Sequence, residues 1–173
     1  VKYRTPVFVL TSKEMVMTLK SFDLSTIKPV NKVDRRWYDG VEKFRPYFPM
    51  KNKVPDFLPL GSSEHQVRFT ASTHDSNAAL QHSTDEAMAN TRRLHEKINE
   101  NLGDFSYYTY ENEESDTLVI SYGISSAAAR KAVGLIRQNG RPVSHLIAGT
   151  LFPVCPEYLE IARGHRRVVI VEE

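Results

Sequence analysis

Between Thr117 and Glu172 the spacing of apolar positions changes several times, and each change marks an element. Thr117-Leu118-Val119-Ile120-Ser121-Tyr122-Gly123 is a continuous apolar run rich in β-branched residues and closed by glycine, the pattern of a strand buried on both faces. Ser125-Ser126 offers N-caps to a helix from about Ala127 to Gln138. Its Ala128, Ala132, Leu135 and Ile136 recur at helical spacing, with Arg130, Lys131 and Arg137 expected in water. Asn139-Gly140 ends the helix, because glycine takes the left-handed conformation without a Cβ clash. A second strand is predicted over Val143 to Gly149, a short helix from Pro156, and a third strand over Val168 to Val171. Strands alternating with helices imply parallel strands joined by right-handed crossovers, an α/β domain.

Earlier in the chain the pattern is weaker. Val7-Phe8-Val9-Leu10 reads as a buried strand, and Thr11-Ser12-Lys13-Glu14 has capping-box spacing ahead of a helix to about Phe22, with Met15, Leu19 and Phe22 on one face. From Leu24 to Gln81 prolines at 29, 46, 49, 55 and 59 alternate with aromatic residues, no period is sustained, and a connection wrapped over neighbouring surfaces is expected. Within it, Gln66 to Ala71 alternates polar and apolar as an edge strand should. Ser83 and Glu86 have capping-box spacing for a helix whose buried stripe would be Ala87, Thr91, Leu94, Ile98 and Leu102, closed by Gly103. Phe105 to Tyr110 has strand composition and is expected to join the sheet as an edge member.

Composition narrows the function classes. At 173 residues the chain can bury a core, and a net charge of +2 with interspersed signs argues against wholesale nucleic-acid or membrane binding. The apolar runs fall short of the roughly 20 residues that a membrane helix needs. A single cysteine, Cys155, excludes an intrachain disulfide, a cysteine-rich zinc site and a self-contained iron–sulfur cluster, and fits a reducing, cytoplasmic setting. The chain opens at Val1 and runs at once into a strand pattern that needs neighbours on both sides, so it is expected to be part of a longer subunit.

Four groups of residues are candidates for chemistry. Gly123, Ser125 and Ser126 lie between a strand end and a helix start, where free amides and the helix dipole favour an anion, although capping alone explains them. His74-Asp75 could be half of a metal site or an acid/base pair, but two residues are too few ligands, which favours a turn or an interface made by Thr73, His74 and Asp75. Cys155, between Val154 and Pro156, reads as a small buried side chain or a reactive thiol. Lys28, Lys32, Arg35 and Arg36 beside Trp37 and Tyr38 suggest phosphate or nucleic-acid contact, but Asp34 and Asp39 dilute the charge toward a solvated or subunit-facing surface.

Leu118 to Gly123, Gly149-Thr150-Leu151-Phe152-Pro153 and Arg167 to Glu173 resemble the C-terminal domain of the α subunit of 2-oxoacid:ferredoxin oxidoreductases, the 2-oxoglutarate type above all, a domain similar to that of transketolase. Thr70-Ala71-Ser72-Thr73-His74-Asp75, followed by a helix with Arg92-Arg93 and Lys97, repeats an order that the family shows upstream. The resemblance runs from Pro6 to Glu173; the family more often has tryptophan at Phe152 and a glycine-containing turn at Ser76-Asn77-Ala78. It implies a three-layer α/β fold with a mostly parallel sheet, whose antiparallel edge strand would be Phe105 to Tyr110. Residues 1–23 would close an upstream thiamine-type α/β domain, 24–82 would be an irregular wrapping connection, and 83–173 the transketolase C-terminal-like domain.

The resemblance further implies a hetero-oligomeric enzyme that converts a 2-oxoacid to its acyl-CoA with thiamine diphosphate, magnesium and an iron–sulfur cluster. Its β subunit, ferredoxin and coenzyme A would be the partners, with no nucleic acid or membrane. No residue of this chain matches a catalytic, cofactor-binding or metal motif of the family, so the chain is expected to brace and contact subunits and to be inactive alone. A nucleotide- or phosphate-binding α/β module and a non-enzymatic scaffold are the alternatives.

Overall fold

The computed structural model describes residues 1–50 and 52–172. Two compact units emerge, one made of Val1–Val7 with Ile27–Glu100, the other of Phe8–Thr26 with Asn101–Glu173.

The second unit holds the sheet. Strands β1 (Tyr108–Glu111), β2 (Thr117–Tyr122), β3 (Ser144–Ala148) and β4 (Arg167–Val171) lie in the order β1-β3-β2-β4. β2 pairs parallel with both β3 and β4, and β1 pairs antiparallel with β3. The apolar runs over 117–122, 143–149 and 168–171 thus become three mutually parallel strands, and the expected antiparallel edge is β1. Helix α3 (Ser125–Gln138) connects β2 to β3, and helix α4 (Pro156–Arg163) connects β3 to β4.

Register decides which residues meet which helix. Val119 pairs with His145 and Val169, so the face they share also carries Val143, Ser121 and Val171. On it α3 presses Ala129 and Val133 against Val119, Val143 and Val171. The opposite face carries Leu118, Leu146, Tyr108 and Tyr110. There the Tyr158 ring of α4 meets Tyr108 edge-on at 5.6 Å, and His165 meets Tyr110 at 6.3 Å. The Tyr158 hydroxyl is shared between the carbonyls of Tyr107 and Thr150, both at 3.1 Å, and burial with a hydrogen bond to Cys155 pushes its pKa up to about 12. Helices thus lie on both faces of the sheet.

Edge strand β4 is open: Val168, Val169 and Ile170 are 40–64% exposed. Helix α3 begins at Ser125, two residues early, and buries Ala129 and Val133 in place of Ala128 and Ala132. Arg137 is not in water. Its guanidinium donates to the Val143 carbonyl at 2.8 and 3.0 Å and reaches Glu111 at 2.8 Å, because the main chain entering β3 passes beneath it. Gly149 explains part of the Gly-Thr-Leu-Phe-Pro run. Its N–H donates to the Tyr107 carbonyl at 2.8 Å, and a Cβ there would sit 2.7 Å from that oxygen. The Phe152–Pro153 bond is cis.

The expected strand over Val7–Leu10 is not formed; no described strand pairs with these residues, and they are at least 75% exposed. Helix α1 spans only Lys13–Met17, short of Phe22. Ser12, not Thr11, caps it through the Met15 N–H, and none of its residues is buried. The strand over Gln66–Ala71 is also absent; Tyr47 instead bonds the Thr70 amide and carbonyl through its hydroxyl, at 3.3 Å each.

The first unit is irregular except for α2 (Asp85–Asn99) and two isolated bridges, Trp37 with Phe57 and His74 with Leu80. Thr84, not Ser83, caps α2, accepting from the Ala87 N–H. The helix ends at Asn99, and a 3-10 turn over Leu102–Asp104 follows. Its buried residues are Ala87, Arg93 and Lys97, whereas Leu94 is 44% exposed.

Two substitutions separate the parts of the sheet. Leu118→Ala, on an interior strand and wholly buried, is expected to cost about 2–5 kcal/mol in urea denaturation, whereas Val168→Ala on the open edge stays under about 1 kcal/mol. Gly149→Ala is expected to cost about 1–3 kcal/mol, because the backbone of Tyr107 cannot yield as a side chain could.

Candidate functional site

The loop that carries Thr73, His74 and Asp75 is held by a dense set of side-chain hydrogen bonds. Asp75 is 8% exposed and spends both carboxylate oxygens on its own loop. Oδ1 accepts the N–H groups of Asn77 and Ala79, each at 2.9 Å, and Oδ2 accepts from the Gln81 amide at 3.0 Å. The short side chain thus does for three donors what a ladder would do in a strand. The Thr73 carbonyl takes the Gln81 N–H at 3.1 Å. Ser72 and Ala78 adopt left-handed φ values of 61° and 69° without being glycine, a cost that this hydrogen bonding offsets.

His74 is oriented by the backbone, not by Asp75. Nδ1 lies 2.7 Å from the Ser72 carbonyl, an acceptor, so Nδ1 carries the proton. The ring packs at 3.9 Å on Tyr47, whose N–H donates to the Ser76 carbonyl at 3.2 Å. Nε2 is buried without a hydrogen-bond partner.

Helix α2 holds the loop through a stripe that hydrophobic periodicity misses. Glu86, Asn90, Arg93 and Lys97 recur at spacings of four, three and four, one face of a helix, and each grips main chain. Glu86 accepts the Ser76 N–H at 2.9 Å, and bonding to Ser76 holds its carboxyl below the usual pKa. Asn90 donates to the His74 carbonyl at 3.4 Å and receives Arg93 Nε and Nη2 at 2.9 and 2.6 Å. Arg93 Nη1 donates to the Lys53 carbonyl at 2.7 Å, and Lys97 Nζ to that of Tyr3 at 2.7 Å. Arg4 extends the pattern, donating to the carbonyls of Pro55 and Asp56 at 3.0 and 2.7 Å. Burial, reinforced by Arg93 and Arg4, lowers the Lys97 pKa to about 8. A signal for this stripe was present in the sequence: long polar residues at helical spacing opposite a proline-rich segment.

The other candidates sit apart from one another. The Ser125 hydroxyl donates to the Tyr122 carbonyl at 2.6 Å and lies 3.1 Å from that of Val171, tying β4 to β2. Gly123 has φ 57°, and its carbonyl receives the Ser126 N–H at 3.3 Å; the Ser126 hydroxyl is buried without a partner. Cys155 is buried ahead of α4. In the basic segment Arg35 stacks over Phe57 at 4.4 Å, and Arg36 pairs with Asp56. Among the described residues no group of three His, Cys, Asp or Glu could hold a metal ion, and no helix is long and apolar enough to cross a membrane.

No family model matches the chain. Over 170 residues, 97% of its length, it is 26% identical to the 2-oxoglutarate synthase subunit KorA of Methanocaldococcus jannaschii. It covers 45% of that relative, so the chain spans about half the length of the curated relative it matches. Its fold is similar to a chain of the 2-oxoglutarate:ferredoxin oxidoreductase from Magnetococcus marinus, with 2-oxoglutarate, coenzyme A and succinyl-CoA bound. The TM-score is 0.72 at 19% identity, over 81% of this chain and 25% of that one.

Asp75→Ala is expected to cost about 2–4 kcal/mol in denaturant unfolding, because it strands buried donors, with Asp75→Asn recovering part of the loss. Lys97 adds a pH dependence. Between about pH 8 and the ordinary lysine value the unfolded chain holds a proton that the folded chain has released, so this group's contribution to stability rises with pH across that window. Lys97→Met is expected to flatten that rise in melting temperature.

Proposed function

We propose that the chain is part of the α subunit of a 2-oxoglutarate:ferredoxin oxidoreductase, where it braces the assembly and contacts other subunits. The observation that carries this reading is a likeness to KorA that extends over 97% of the chain. The complete enzyme would convert 2-oxoglutarate and coenzyme A to succinyl-CoA and carbon dioxide while reducing ferredoxin, in the cytoplasm. Residues 1–23 would complete an upstream thiamine-type domain, 24–82 would wrap over neighbouring surfaces, and 83–173 would form the C-terminal domain.

Thiamine diphosphate, magnesium and an iron–sulfur cluster belong to this proposal at the level of the complex. A single cysteine cannot hold an iron–sulfur cluster by itself, and no three-residue metal group lies among the described residues, so this reading assigns these groups to other parts of the complex. We assign no catalytic step to it. Thr73, His74 and Asp75 would instead lie at a domain or subunit boundary, with the β subunit as neighbour. The exposed run Val7–Leu10 and the exposed Leu19 and Phe22 support a bracing role, since apolar surface on this scale marks contact with other protein. The phosphate-binding alternative is weaker, because the Ser125 hydroxyl is already spent on main-chain carbonyls.

Purification of the native complex through a tag on this polypeptide tests the reading. The complex should reduce ferredoxin only when 2-oxoglutarate and coenzyme A are both present, and calorimetry of the 173-residue chain should show no thiamine diphosphate binding. A complex inert toward 2-oxoglutarate overturns it. His74→Ala should weaken subunit co-elution while leaving the melting temperature of the chain nearly unchanged.

A further inference from the structure

The sheet face beneath α3 carries one polar pair that apolar packing does not explain. Ser121 and His145 are wholly buried, with the hydroxyl 2.9 Å from His145 Nε2. Nδ1 of the same ring is buried and has no hydrogen-bond partner. In either neutral tautomer one hydrogen bond forms at Nε2 and the capacity of Nδ1 goes unspent, at a cost of about 1–3 kcal/mol. A leucine of similar volume would avoid that cost, so the imidazole is an expensive choice for this position.

Protonation would make both ring nitrogens donors and place a full charge in the layer between helix and sheet. The charged groups facing the ring come from two elements. On β1, Glu111 is the cross-strand partner of His145, but its carboxylate is already bonded to Arg137 at 2.8 Å. Arg137, which also lies 3.6 Å from Glu113, and Arg130 are the cations that α3 contributes. Burial, with the two arginines opposing the one carboxylate, holds the imidazole below its ordinary pKa.

We propose that Ser121 and His145 form an acid-sensitive latch between β2 and β3 beneath α3, secure while the imidazole is neutral and destabilised when Nδ1 takes up a proton for which the site has no acceptor. The folded chain resists the proton and the unfolded chain does not. Stability is therefore complete above the ordinary histidine value and declines as pH falls from that value toward the depressed one. Glu111 sets the size of the response, because only by leaving Arg137 could it meet the imidazolium.

The test pairs two readouts on the 173-residue chain. Histidine ¹⁵N shifts across a pH titration report the protonation of His145 directly, and thermal melts at about pH 7 and about pH 5 report the consequence. His145 is expected to stay neutral below the pH at which exposed histidines charge, and the melting temperature to drop by several degrees on acidification. His145→Leu should remove most of that drop. Arg130→Glu, at an exposed position, should move the His145 titration upward while leaving the fold intact, so the latch stays testable even if His145→Leu fails to fold. An imidazole that titrates at or above its ordinary value, or a His145→Leu chain as acid-labile as its parent, overturns the proposal.

Discussion

Main-chain groups left over by irregular structure are the constraint on which the first unit depends. The described residues among 27–84 form no sheet strand and no α-helix, yet Val54, Pro55, Asp75 and Ser76 are buried, and a buried peptide group without a partner costs as much as a lost hydrogen bond. The polar stripe of α2 supplies those partners. A carboxylate takes the Ser76 amide, and an amide and two cations take the carbonyls of His74, Lys53 and Tyr3. Hydrogen bonds to charged groups are worth about 1.5–3 kcal/mol each, enough to offset the burial of Arg93. Lys53 repeats the logic in reverse: its carbonyl is held by Arg93 while its ammonium pairs with Glu96 of the same helix and with Glu100 at that helix's C-cap.

The second unit is built the opposite way, by apolar layers. β2 is held by parallel neighbours on both edges, α3 buries Ala129 and Val133 on one face, and Leu118 and Leu146 fill the other. Side-chain bonds to main chain serve there as ties at the ends of elements: Ser125 to Val171, Arg137 to Val143, Tyr158 to Tyr107. The fully buried exceptions are Ser144, Ser121 and His145, and Ser144 accepts the Glu113 N–H at 3.1 Å.

How much of this was legible in the sequence follows from the same contrast. Apolar runs with β-branched residues announce β2, β3 and β4, and the helical spacing between them dictates parallel pairing; for β2 and β3 the signal and the stabilising force are the same burial, whereas β4 stays half-open at the edge. The stripe of α2 is invisible to that reading. Counting apolar positions puts Leu94 inside and Arg93 outside, whereas the helix turns toward a segment that needs hydrogen bonds more than methyl groups. Val7–Leu10 fails for a related reason: a run of four apolar residues records that something must cover it, not that the cover lies in the same chain. His74 and Asp75 were recognisable as a turn, but the division of labour, with Asp75 holding the loop and Ser72 aiming the ring, is three-dimensional and has no periodic trace. Gly149 likewise reads as an ordinary turn residue until the approach of Tyr107 is seen.

The strand order carries a consequence for how the protein is made. β1 precedes β2 in the chain but pairs with β3, so the first strand of this sheet to leave the ribosome is an edge strand whose partner follows about thirty residues later. At typical rates of synthesis, roughly 5–20 residues per second, Tyr107, Tyr108 and Tyr110 wait a few seconds with unpaired amides and carbonyls. β2 cannot shelter them, because its own edge is reserved for the same late arrival. The nascent chain is therefore most prone to pairing with a stranger between the emergence of Glu111 and that of Ala148, a window fixed by topology that no single side chain can close.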